Sequence, residues 1–328
     1  MKRALLLLAV FAVPASHAAR LGGEPVALVT AETQNRMVAV DLDSGRVLGR
    51  LRMPADPQNV EVDVRATLAV VVSPRAGAVT IVDVKRLRIR KVIRGFGSPH
   101  IAAISPRGGY AYVTDDTRGQ LVVIGLARGR VIRRVFVGVG AHHMSFSPNA
   151  RRLWIALGER ARTIVVVNTA RLDRPRVIGS FEPGGFVHDV AFAPGGRRVW
   201  LTHDDSSTVT IVDARTRAPV ASFAAGRPPQ HVTFSDFELS PANQQHLAFV
   251  TSGYDGTLRV LAAETHRQLR TLRVAYGSFN VSTVGGVLAT TSLLRGTLTQ
   301  FWAMPPWRRV RAPRLAPATR DVALAVLP

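Results

Sequence analysis

Five of the nine histidines recur at matched points of a repeat, as His100, His142, His143, His188 and His231, with a period of about 42 residues. Neutral imidazoles that converge bind Zn²⁺, Cu²⁺ or Fe²⁺, and a carboxylate among them adds an oxygen ligand or a general base. The same point carries Asn59, Asp189, Asn280 and Asp321 in other repeats or beside a histidine, and amide or carboxylate oxygens suit Ca²⁺ or Mg²⁺. The candidate ligand funnel is therefore Asn59, His100, His142, His143, His188, Asp189, His231, Asn280 and Asp321. Its metal-ligating subset is His143, His188, Asp189 and His231, and a divalent metal ion is the cofactor this donor set admits. The structural alternative is repeat inheritance, in which a polar residue at this turn caps a strand by bonding backbone groups. That alternative also explains why Gln58, Phe279 and Arg320 replace histidine in three repeats.

Residues so far apart in sequence converge only if a repeated element carries each of them to one place. The segments from Ser98 (SPHIAAISPRGGYAYVTDD), Gly140 (GAHHMSFSPNARRLWIALG) and Phe186 (FVHDVAFAPGGRRVWLTHD) share a short apolar run, a Pro-containing turn and a second apolar run. A third run follows, as VTIVDV from Val79 and LVVIGL from Leu121, rich in β-branched residues and too short for a helix. A fourth completes a four-stranded unit, the blade of a propeller. First strands begin at Gln58, His100, His142, His188, Gln230, Phe279 and Arg320, which predicts seven blades. The chain opens instead on a second-type strand, VALVTA from Val26, and ends on the lone strand RDVALAV. That last strand is expected to complete the first blade and close the ring. The fold class predicted is an all-β, seven-bladed propeller, with the ring closed by the C-terminal strand.

Repeats of this form, with AYVTD at Ala111 to Asp115 and VTIVDV at Val79 to Val84, resemble the YVTN-family β-propellers. The resemblance extends over nearly all of residues 20–328 and is weakest between Asp236 and His246 and after Leu293. It implies an exported bacterial seven-bladed protein, in a family many of whose members have no defined activity.

The N-terminus carries Lys2, Arg3, an apolar stretch from Ala4 to Val13 and the small-residue segment after Pro14. This reads as a secretory signal peptide over residues 1–19, the apolar stretch being too short to span a bilayer. A periplasmic or secreted protein follows, with no transmembrane segment after cleavage. Zero cysteines exclude disulfides, thiolate metal sites and covalent haem. The repeats run on without a linker, so residues 20–328 are read as one domain and the protein as a monomer.

A formal net charge of +21 favours anionic partners. Only Lys2, Lys85 and Lys91 among the 43 basic residues are lysines, and a coding bias toward arginine would produce the excess without any partner. Position argues for more, because the loop between first and second strands of each blade shares a face with the loop between third and fourth. That face collects Arg107, Arg151, Arg152, Arg197 and Arg198, candidates for an anionic envelope polymer, a protein partner or nonspecific nucleic acid. Aromatic residues at 6% are too few for an extended base-stacking groove.

Three function classes remain open. A noncatalytic binding or scaffold module is favoured, since no Gly-x-Ser-x-Gly, Walker or His-Glu-x-x-His motif occurs. A metal-dependent hydrolase or lactonase would use His143, His188, Asp189, His231 and Asp321 as ligands or general base. A redox-cofactor propeller ranks last. Trp154 and Trp200, at equivalent second-strand positions, are expected in the core.

Overall fold

The computed structural model describes residues 23–238 and 245–327. The expected signal peptide at 1–19 and the middle of the insertion DFELSPANQQ therefore lie outside the described residues. Seven four-stranded antiparallel sheets form the ring expected from the repeats. Blade 4 is typical: Ala141–Phe146 lines the axis, followed outward by Arg152–Leu157, Ile164–Asn168 and Arg176–Phe181. In blade 1 the innermost strand is the C-terminal Val322–Leu327, paired with Glu24–Ala31 from Glu24↔Leu327 to Val29↔Val322. The two ends of the chain thus share one sheet, which closes the ring.

Burial follows from position in the ring. Second and third strands are covered on both faces by neighbouring blades, so Ala78–Asp83 is buried throughout. Outer strands have one covered face and alternate, as in Val47–Arg52. Apolar clusters fill each gap between blades. Trp154, 1% exposed, packs edge-on to Phe181 and Phe192, and Trp200, 0% exposed, does the same with Phe223 and Phe234. The short seventh outer strand, Arg309–Arg311, follows from a proline-rich approach that removes ladder donors.

A threonine near the end of the second strand ties the blades together around the axis. Thr202 Oγ1 accepts the Asp189 N–H of its own inner strand at 2.9 Å and donates to the Gln230 carbonyl of the next blade at 2.8 Å. Thr30 repeats this with Asp321 N–H and the Gln58 carbonyl, Thr114 with Ile101 N–H and the His142 carbonyl, and Thr251 with His231 N–H and the Phe279 carbonyl. Thr291 makes the outward half, to the Arg320 carbonyl. In blades 3 and 5 the threonine takes an inner-strand N–H out of the ladder at a register shift, between Pro99 and Ala102 and between Val187 and Val190, and blade 4 makes the same shift between Ala141 and Met144 without a threonine. Bulges re-aim side chains. Here the displaced residues are His100-Ile101, His142-His143 and His188-Asp189, the pairs at the mouth of the axis.

Candidate functional site

Five histidines from four blades form one group, four of them on the bulges of blades 3, 4 and 5 and the fifth, His231, just before the inner strand of blade 6. Ring centroids lie 3.4 Å apart for His100 and His142, which stack, 4.8 Å for His142 and His143, 4.6 Å for His143 and His188, and 4.9 Å for His143 and His231. In two sets of three, one ring nitrogen from each residue lies within 4.8 Å of the other two: His100, His142, His143 and His143, His188, His231. His143 belongs to both, is 5% exposed, and its Nδ1 has no hydrogen-bond partner. A buried nitrogen left without a partner costs about 1–3 kcal/mol, so its neighbours do not explain its presence.

Outer contacts fix which nitrogens face inward. His142 Nδ1 lies 2.9 Å from Asp116 Oδ2, and His188 Nδ1 donates to the Glu159 carbonyl at 3.3 Å. His231 Nδ1 is 3.5 Å from Asp189 Oδ2. An Nδ1–H held by an oxygen leaves the Nε2 lone pair free, the arrangement that orients histidine ligands around metals. Burial, helped by the neighbouring imidazoles, holds His143 and His100 well below the ordinary histidine range. His188 is lowered by burial and then by His231, and His142 by burial against the opposing pull of Asp116. His100, His142, His143 and His188 are therefore held toward the neutral form, and neutral imidazole is the form that coordinates a cation.

The remaining predicted funnel residues are near the axis but serve the backbone. Asp189 Oδ1 accepts Val190 N–H at 2.8 Å and Oδ2 accepts Val232 N–H of the next blade at 3.1 Å. Asp321 Oδ1 accepts Val322 N–H at 2.8 Å, and Oδ2 accepts Val60 N–H at 3.0 Å and Asn59 Nδ2 at 2.8 Å. Asn59 Oδ1 accepts Ala102 N–H at 2.8 Å, and Asn280 donates to the Arg320 carbonyl at 2.8 Å. Asp189, expected as a ligand, thus stands beside His231 and outside both three-histidine sets.

The histidines sit between two axial spaces. A vestibule of about 200 Å³ includes Tyr254, Phe279, Leu293 and Arg320 in its wall, and an inner channel of about 350 Å³ runs toward the opposite face past Glu61, Ser145, Thr233 and Ser282. His143 and His231 line both. The sequence reading did not single out Glu61 or the threonine bridges. Both leave a trace in the alignment of repeats: Glu61 is the one acid in a column otherwise of Ala, Ser and Thr, and the threonines form a column of their own.

On the other face a cleft of about 710 Å³ between blades 4 and 5 is lined by Arg151, Arg152, Arg197 and Arg215, with Asp213 among them. The loops predicted to share this face do meet there. Arg151 and Arg152 are exposed, whereas Arg198 donates to Asp213 at 2.7 Å and Arg107 donates to the Thr169 and Ala170 carbonyls at 3.2 and 3.0 Å. Arg107 therefore fastens blade 3 to blade 4.

The ring is similar to several solved structures. A functionally unknown protein from Desulfotomaculum acetoxidans DSM 771 aligns with a TM-score of 0.78 at 13% identity, over 92% of this chain and 99% of that one. Apo AztD from Citrobacter koseri aligns at 0.69 and 11% identity, over 92% and 98%. Dihydro-heme d1 dehydrogenase NirN in complex with DHE aligns at 0.66 and 14% identity, over 89% and 64%. At these identities the likeness establishes the fold alone. No family model and no curated protein sequence matches the chain. Among the described residues no helix is long and apolar enough to cross a membrane.

Proposed function

We propose that this chain is a noncatalytic metal-binding propeller working outside the cytoplasm, with a divalent transition-metal ion held by His143, His188 and His231. One observation carries the reading: three histidines from three blades each place a ring nitrogen within 4.8 Å of the others, and one of the three, His143, has a buried Nδ1 without a protein partner. Three imidazoles form a borderline donor set suited to Zn²⁺ or Cu²⁺, and the absence of cysteine from the chain disfavours softer ions. His100 and His142 offer a second position that shares His143, so an ion can pass between the two sets by exchanging ligands.

The surroundings support a binding role. The signal-like N-terminus and the resemblance to YVTN-family propellers favour an exported protein, and the arginine-rich cleft is the surface on which an anionic envelope polymer or a protein partner would dock. A metal-dependent hydrolase is the second reading, favoured by the vestibule, which leaves a coordination position open to water. It ranks below binding because Asp189 and Asp321 are engaged by backbone N–H groups and are poorly placed as general bases.

Calorimetric titration of the purified chain with Zn²⁺ and Cu²⁺, with elemental analysis, tests the proposal. Stoichiometric binding that disappears in the His143→Ala, His188→Ala double variant is expected. Failure to bind either ion, or full retention in the double variant, overturns it.

A further inference from the structure

Below the histidines the channel holds a carboxylate that the histidine reading does not use. Glu61 lies two residues further along its inner strand than Asn59, which places it about 7 Å deeper. At that level the wall is otherwise Ala103, Ser145, Thr233, Ser282 and Ala323, all small. Small residues suit the taper of inner strands, and a glutamate projecting among them is not needed for packing. Its carboxylate makes no hydrogen bond or ion pair among the described residues, and the Thr233 hydroxyl makes none either.

Its electrostatic setting is one-sided. The nearby charged group is Asp321, another acid, which is held by three N–H donors and cannot turn away. Burial first, and Asp321 second, push the Glu61 carboxyl up to about 8. The roof of the same channel is formed by His143, 5% exposed with a free Nδ1. An acid without a cationic partner, beside a second acid, is a place a cation would neutralise.

We propose that the inner channel holds a second cation, a hard divalent ion such as Mn²⁺ or Mg²⁺, with Glu61 as its charged ligand. Channel hydroxyls and water complete an oxygen-donor shell, and about 350 Å³ leaves room for the ion to keep much of its hydration. One carboxylate and a hydrated shell give a weak site, with Kd on the order of 10⁻⁴ to 10⁻³ M. This position is independent of the nitrogen-donor site above it, because donor type, depth and preferred ion all differ.

Mn²⁺ titration of the full chain, followed by the loss of the free-ion paramagnetic resonance signal, tests the inference on wild type, Glu61→Gln and His143→Ala. Glutamine matches the shape of the protonated glutamate, so Glu61→Gln is expected to fold, and its circular dichroism checks this. The expected result is Mn²⁺ binding weakened about tenfold or more in Glu61→Gln and changed less than about twofold in His143→Ala. Equal binding by wild type and Glu61→Gln, or no binding at millimolar Mn²⁺, overturns the inference. Loss confined to His143→Ala also overturns it, by placing the ion on the histidines. Zn²⁺ binding by Glu61→Gln reports separately on the histidine site.

Discussion

Asn59, Asp189 and Asp321 stand at the same point of their blades as His143 and His231, and the repeat turns one position to two uses. In the first set each side chain reaches to the following blade and accepts a backbone N–H, from Ala102, Val232 and Val60 respectively. In the second set, His143 leaves Nδ1 unpaired inside the protein, and His231 leans on Asp189 with its other nitrogen free. A repeat protein supplies its own control here. If the position were only a cap, every polar occupant would bond the backbone. The clamp residues do so, and the histidine at the centre of the group does not.

The sharpest way to break the comparison is to exchange the two losses. Asp321→Ala strands the buried N–H groups of Val60 and Val322 at the point of ring closure, and each costs about 1–3 kcal/mol. A destabilisation of about 3 kcal/mol and a fall in Tm of about 5 °C are expected, with Zn²⁺ affinity kept within about threefold. His143→Ala should change metal-free stability by about 1 kcal/mol or less, since no hydrogen bond is lost, while weakening Zn²⁺ about a hundredfold or more. Differential scanning fluorimetry beside calorimetry reads both. A His143→Ala variant that unfolds as readily as Asp321→Ala would put both residues in the structural class.

Next in size is the threonine bridge. Thr202→Val keeps the shape but leaves Asp189 N–H without its acceptor and the Gln230 carbonyl without its donor. About 2 kcal/mol should be lost, measured by chemical denaturation. Val72 and Ala156 stand in the corresponding place in blades 2 and 4, so five bridges hold the ring where seven are geometrically available. If Thr202→Val proves neutral, the bulges are maintained by the inner strands alone.

Seven blades, the closing strand and the convergence of the histidines were all legible in the sequence, because each is a property of a period and the period is explicit. The division of labour inside the ring was not. Asp189 and His231 look equally good as ligands in a list of residue types, and only the 3.1 Å contact from Val232 N–H shows that the aspartate is engaged elsewhere. Arg107 was grouped with free surface arginines for the same reason, whereas its guanidinium grips two carbonyls of the following blade. Spacing gives the level of a residue on the axis, and hydrogen-bond direction decides its use. Glu61 is the converse case, since its departure from a column of small residues was visible as soon as the inner strands were aligned.

Acid sharpens the comparison more gently. Burial lowers the pKa values of His100, His142 and His143 in the folded chain below the ordinary value of 6.5. As pH falls through that value the unfolded chain takes up protons that the folded chain refuses, so stability should decline on the acid side of about 6.5 and be fully present above it. Between pH 7 and pH 5 Tm should fall, and His143→Ala should reduce that fall while Asn59→Ala should not. Metal affinity should hold through this window and fall only at more acid pH, because the folded His143 and His188 take up competing protons well below 6.5.

The smallest expected effect is the most discriminating. His203 is as buried as His143, at 2% exposed, and its Nε2 also lacks a partner. Burial lowers its pKa too, against the pull of Asp205. It ends the second strand of blade 5 and belongs to neither three-histidine set. If a buried, unpaired nitrogen were enough to attract a metal, His203→Gln would weaken Zn²⁺ binding alongside His143→Ala. If convergence is what matters, its affinity should lie within about twofold of wild type, since a single imidazole supplies one of the three or four ligands that zinc requires. A larger loss would move the site outward along blade 5 and remove the distinction between clamp and ligand on which the axial reading stands.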